Sequence, residues 1–187
     1  GMVGLGALAA VVFWAFQSFY TVRPEEQSVE LLLGSYSSTG GPGLNFAPWP
    51  IVTKEILAVT TERNIDIGTS RAGMDAGLML TGDENIVDVQ FRVFWFYDGE
   101  NPQDFILNID NGTPLVKAAA ESIMREVVGK STLDAVLTTG RGEIADIVRD
   151  QLQQLLADYG AGVQIENVEI QEALAPIGIS VTLEKVP

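Results

Sequence analysis

The chain has 187 residues with 11 basic and 25 acidic side chains, a net charge of −14, and neither His nor Cys. That length suits one medium domain or two small subdomains sharing a core. The charge argues against nucleic acid, whose binding needs clustered Lys and Arg, and against electrostatic adhesion to anionic lipid; without Cys there is no disulfide framework or thiolate zinc site, and the commonest general base is missing with His.

No residue before Arg23 is charged. Met2–Val22, MVGLGALAAVVFWAFQSFYTV, therefore reads as a retained membrane span, since about 20 mostly apolar residues suffice. Leu5, Leu8, Val11, Val12, Phe13, Trp14, Phe16, Phe19 and Tyr20 are its anchor residues, with the aromatic ones crowding its end as an interfacial belt. A cleaved signal peptide would show a basic start and small residues before a cleavage point, and neither is visible; a buried core helix is the other alternative.

Gln27–Leu33 is apolar and β-prone, and a polar run, Gly34–Gly41, follows. Gly41–Pro50, GPGLNFAPWP, fixes a shaped loop rather than a helix or central strand. Its apolar members Leu44, Phe46 and Trp49 either pack beneath it or touch lipid headgroups. Lys54–Thr60 predicts a second strand, and Thr61–Gly77 a polar turn or excursion. Leu80–Tyr97, LTGDENIVDVQFRVFWFY, is the organising stretch: Val87, Val89, Phe91, Val93, Trp95 and Tyr97 alternate on one side of a long half-buried strand. Its far side turns apolar at Phe94 and Phe96, which predicts that this end lies between two layers. The entry turn holds Gly82 for positive φ and Asp83 and Asn85 for local backbone bonds.

Past Pro102 the apolar period becomes helical. Thr113-Pro114 predicts a capped helix that Gly129 ends. Ser131 predicts the cap of a short second helix. Glu143–Tyr159 predicts a third, with Ile144, Val148, Leu152, Leu155 and Tyr159 inward and Gly160 as terminator. Val163–Gln171 alternates again, but its halves are out of phase, which calls for a bulge or kink near Asn167. Ile179, Val181 and Leu183 suit one more short strand. The fold class is α+β, a small mostly antiparallel sheet with helices packed on one face.

No catalytic, cofactor or metal site is expected. Asp83 and Glu84 point to opposite faces if extended, so turn and cap duty outweighs acid–base chemistry. Asn108–Gly112 lacks the closing Glu of a calcium loop. Asn111-Gly112-Thr113 is a glycosylation sequon by pattern only. Ser131 beside Lys130 has no nucleophile elbow around it.

The residues above resemble the band 7 group, or SPFH family (stomatin, prohibitin, flotillin and HflK/HflC), and within it the bacterial HflK branch. The resemblance rests on Val22-Arg23-Pro24-Glu25-Glu26, the Pro-Gly-Leu-Asn of Gly41–Pro50, Asp83-Glu84-Asn85 before the long strand, and REVVGKSTLDAVLTTGR with YGAGVQIENVEIQ at Arg125–Ala173. It implies a transmembrane anchor at 1–22 and a band 7 domain at 23–176 with a subdomain break near 80–100. It also implies a single-pass protein of the bacterial inner membrane with a periplasmic domain, and no active site or cofactor. The implied partners are the lipid bilayer, an HflC-like homologous subunit in a hetero-oligomer, and an FtsH-type AAA protease that the assembly regulates. A stomatin- or prohibitin-like microdomain scaffold is the alternative within the family, and a membrane-bound serine hydrolase the distant one outside it. Ile177–Pro187 shows no heptad pattern, so the family's long coiled coil is not expected in this chain, and neither is cage assembly by this chain alone.

Overall fold

The computed structural model describes residues 2–68, 77–109, 112–138 and 140–174. Helix α1 (Met2–Ser18) is followed by strands β1 (Phe19–Val22), β2 (Glu26–Leu32), β3 (Ser35–Gly40), β4 (Gly43–Phe46), β5 (Val52–Ala58), β6 (Arg63–Ile67), β7 (Leu78–Leu80) and β8 (Ile86–Tyr97). Then come helices α2 (Pro102–Asn108), α3 (Gly112–Lys130), α4 (Leu133–Leu137) and α5 (Arg141–Asp158), and strand β9 (Val163–Leu174). The strands divide into a β1–β4 ribbon, a three-stranded sheet β3–β2–β5, and a four-stranded sheet in which β8 pairs with β6, β7 and β9. Sequence alternation foresaw one sheet; which strands pair depends on contacts distant along the chain.

The chain forms two compact units, whose boundaries fall within β6, β8, α5 and β9 and at the first residue of α3. One holds residues 1–63, 95–112 and 153–164. There β2 pairs antiparallel with β5 from Glu26↔Ala58 to Leu32↔Val52, and with β3 around a two-residue loop, Leu33-Gly34. Both loop residues have positive φ, 51° and 89°, as a hairpin turn matched to strand twist requires. The helix end at Asp158 is closed by two backbone bonds, Ala161 N–H to Leu156 O and Gly160 N–H to Ala157 O, both 2.9 Å. This is a Schellman cap with Gly160 in the left-handed position at φ 58°. Because the chain turns away here, Tyr159 is exposed rather than inward, and Leu156 takes the buried place.

The other unit holds residues 64–94, 113–152 and 165–187. Val87, Val89, Phe91 and Val93 of β8 are fully buried, each contributing about 1.5–3 kcal/mol. The opposite face of the strand is only partly covered, Phe94 and Phe96 included, so the end expected between two layers is fully covered on one face alone. The apolar stripes of α3 (Val116, Ala120, Ile123, Met124, Val127) and α5 (Ile144, Val148, Leu152) are buried in the same unit. Along β9, Ile165 and Val168 are buried while Glu166 and Asn167 are both exposed, which is the anticipated phase slip.

Several local expectations change. The polar run 34–41 contains β3, the Gly/Pro segment contains β4, and the excursion after Thr61 begins with β6. In each case backbone pairing overrides side-chain preference: β3 pairs with its hairpin neighbour β2, and β4 and β6 with the more distant β1 and β8. Thr113 lies inside α3, not before it. Thr132, not Ser131, caps α4, its hydroxyl accepting the Ala135 N–H. Gly82 does not supply the positive φ; Glu84 does, at 63°. Gly82 is needed because a Cβ there would come 2.9 Å from the Gly129 carbonyl. Residues 69–76 of the Thr61–Gly77 excursion, Asp110 and Asn111, and the strand expected at Ile179–Leu183 lie outside the described residues.

Candidate membrane-facing surface

The seam between α1 and the Gly/Pro segment is built from a few short-range constraints. The Ser18 hydroxyl donates back to Trp14 O at 2.9 Å, closing the last turn of α1. The Ala47 N–H then donates to Ser18 O at 2.8 Å, and the Trp14 indole N–H donates to the Trp49 carbonyl. β1 and β4 run antiparallel in the register Phe19↔Phe46, Tyr20↔Asn45, Thr21↔Leu44, Val22↔Gly43. Strand alternation sends Tyr20 and Val22 inward to a small core with Ala47 and Val52. Phe19, Leu44 and Phe46 are left outside, the two Phe rings 5.1 Å apart. The Pro48 carbonyl accepts from Ile51 and Val52 N–H and turns the chain into β5 past a cis Trp49-Pro50 bond.

The result is an exposed apolar surface. Val11, Val12, Phe13, Trp14 and Phe16 on α1, Phe19 on β1, and Leu44, Phe46, Trp49 and Ile51 beyond it are all exposed, Phe16 to 77% and Leu44 to 70%. Scattered exposed apolar residues are ordinary, but a contiguous aromatic group marks an interaction site. Leu5 and Leu8 lie in α1, but their side chains are outside the described ones.

Of the expected 1–22 anchor, Met2–Ser18 is helical, about 25 Å at 1.5 Å per residue. Among the described residues no helix is long and apolar enough to cross a membrane. Phe19 and Tyr20 leave the helix because FYTV pairs with GLNF, and Tyr20 is buried rather than lipid-facing. Of the Leu44/Phe46/Trp49 loop, the structure leaves all three exposed rather than packed beneath it.

Behind the surface, the Tyr20 hydroxyl donates to Glu30 Oε1 and meets the Ser28 hydroxyl, both at 2.7 Å. Glu30 Oε2 accepts from Ser38 at 2.6 Å. Burial pushes the Tyr20 phenol up to about 12; the Ser28 hydrogen bond works against this, and Glu30 reinforces it. Lys54 Nζ lies 4.1 Å from the Tyr20 ring centroid, a cation–π contact. Phe13, Trp14, Gln17, Ala47, Trp49, Val52, Thr53 and Lys54 line a cavity of about 480 Å³. Sequence reading missed Tyr20 as a core residue and Lys54 altogether, because only strand register brings them together.

The residues weighed for chemistry are occupied elsewhere. The Ser131 hydroxyl donates to Val127 O at 2.8 Å, and Lys130 pairs with Glu126 one helical turn away. Asp83 accepts from the Thr81 hydroxyl at 2.5 Å and from Leu133 N–H at 3.1 Å, so it caps α4 from fifty residues upstream. The Thr81 bond is the largest influence holding its carboxyl below the ordinary range. Among the described residues no three acidic groups gather to hold a metal.

An α+β domain with an exposed aromatic surface has the form of an interaction domain. The chain belongs to the SPFH domain / Band 7 family, whose model matches residues 20–186. It is 35% identical over 182 residues to Protein HflK of Vibrio cholerae, covering 94% of this chain and 42% of that protein. It is 32% identical over 175 residues to the Modulator of FtsH protease HflK of Escherichia coli K12, covering 94% and 39%. Protein HflK of Borreliella burgdorferi is 25% identical over 170 residues, covering 86% and 54%. The chain thus spans about half or less of the length of these relatives.

Proposed function

We propose that this chain is a non-catalytic, HflK-like scaffold subunit. It holds to the bacterial inner membrane as a single-pass protein whose span includes α1, with the Leu44/Phe46/Trp49 segment at the membrane surface and its domain on the periplasmic side. There it assembles with an HflC-like homologous subunit and regulates an FtsH-type AAA protease. The observation that carries the reading is the exposed aromatic surface of α1, β1 and β4; the family and the relative named as a protease modulator support its direction. Trp and Phe at such a surface suit the bilayer interface, where an apolar ring body and a polar tip are both accommodated. Regulation then works by lateral association beside the protease.

Two measurements test it. The chain should float with neutral phospholipid vesicles and survive a carbonate wash; Phe16→Ser with Leu44→Ser should weaken flotation by an order of magnitude or more, since each full burial contributes about 1.5–3 kcal/mol. Purified in mild detergent from its own cells, it should bring down a homologous subunit and an AAA protease. Recovery of a different homologous scaffold without the protease points to the stomatin-like alternative. Labelling by a fluorophosphonate probe, lost in Ser131→Ala, overturns the scaffold reading in favour of a hydrolase.

A further inference from the structure

Resting on the membrane-surface reading, we propose that the cavity between α1 and the start of β5 holds one acyl chain of an anionic phospholipid, with its phosphate against Lys54. The cavity, about 480 Å³, falls within the roughly 300–1,000 Å³ of ordinary ligand sites. Phe13, Trp14, Trp49 and Val52 give it hydrocarbon walls, Gln17 adds a neutral polar group, and among the described residues Lys54 is the one charge in its lining. An occupant matching these walls is long, apolar and carries a single negative end. Among the described residues no carboxylate lines the cavity, and Glu30, bonded to Tyr20 behind it, has both oxygens occupied by the Tyr20 and Ser38 hydroxyls. Lys54 makes no ion pair among the described residues; its ammonium rests on the Tyr20 ring and remains able to take an anionic oxygen. A bilayer lipid is favoured as the source because Trp14 and Trp49 belong both to the cavity and to the exposed aromatic surface.

The net charge of −14 removes any general attraction to anionic bilayers, so a preference for an anionic headgroup reports a local site. The three tryptophans give a direct readout: Trp14 and Trp49 line the cavity, whereas Trp95 is buried and serves as internal reference. The 187-residue chain is titrated with vesicles of acyl-brominated phosphatidylglycerol or phosphatidylcholine at 0.15 M salt, where exposed charges act only over about 8 Å. Half-maximal quenching should need roughly fivefold less phosphatidylglycerol, the effect of one Lys at an anionic headgroup. Lys54→Gln should erase that difference, Lys54→Arg should keep it, and unchanged Trp95 emission confirms that both variants fold. Equal quenching by both lipids in the wild type, or a preference that survives Lys54→Gln, overturns the site while leaving the membrane reading standing. Stronger quenching by brominated oleate from solution than by either vesicle overturns the phospholipid and assigns a free fatty acid. Absence of quenching by any vesicle overturns the membrane reading and this inference with it.

Discussion

Gly160 and Gly162 make a matched pair for testing how tightly the loop after α5 is built. Their φ values are 58° and 59°, so a side chain at either incurs the same left-handed backbone penalty, about 1–2 kcal/mol. Their surroundings differ. A Cβ on residue 160 would meet only the Asn108 amide nitrogen, at 3.1 Å, the end of a side chain that need yield only a few tenths of an ångström while keeping its 2.8 Å bond to the Gly160 carbonyl. A Cβ on residue 162 would lie 2.4 Å from the Phe105 backbone nitrogen and 3.1 Å from the Asp104 carbonyl carbon, neither of which moves without α2. The Gly162 carbonyl also accepts the Asp98 N–H at 3.0 Å, a bond that any backbone shift stretches. Overpacking adds about 1–3 kcal/mol. Gly160→Ala is therefore expected to cost about 1–2 kcal/mol and Gly162→Ala about 2–5 kcal/mol. Urea unfolding followed by Trp95 emission measures both; with a slope of about 2 kcal/mol per molar urea, the midpoints should separate by roughly 0.5–1.5 M. Gly142→Ala, exposed in α5 with nothing within 4 Å, is the control and should gain about 0.5–1 kcal/mol. Equal losses at 160 and 162 would refute the steric argument and leave only the backbone one.

Leu33 is 81% exposed at φ 51° in the β2–β3 turn, so Leu33→Asn should raise the stability measured in urea melts by about 0.5–1 kcal/mol, because Asn tolerates that conformation better. Asp83 titrates below the ordinary range, so its contribution is present above the unfolded carboxylate pKa and fades as pH falls through the lower folded value. Asp83→Asn should lower stability at neutral pH and shrink the acid-side loss of stability in pH-resolved urea melts. Tyr20 works in the opposite direction: its folded pKa of about 12 stands above the ordinary 10, so stability is complete below pH 10 and declines between 10 and 12. Tyr20→Phe should flatten that alkaline limb, though it also strips a hydrogen-bond partner from Ser28 and Glu30.

The α+β class, the long strand ending at Tyr97, the three larger helical stretches and the phase slip at Asn167 were legible in the chain, because each is set by a period of 2 or 3.6 that neighbouring residues share. The short α2 after Pro102 was not, since seven residues carry too little period to be seen. Neither was β4, because the Gly and Pro around it mark a loop, and only pairing with Phe19–Val22 makes it a strand. The same pairing ended α1 at Ser18 and moved Tyr20 from a supposed lipid belt into a core. Gly82 shows the limit most plainly: sequence identifies a glycine in a turn, but only the Gly129 carbonyl beside it tells whether the glycine is there for its φ or for its missing Cβ. Local composition determined that an apolar leader precedes an acidic body. Long-range register decided which aromatic rings remain outside, and placed Lys54 over Tyr20, because strand pairing joins residues whose separation along the chain leaves no trace in either segment alone.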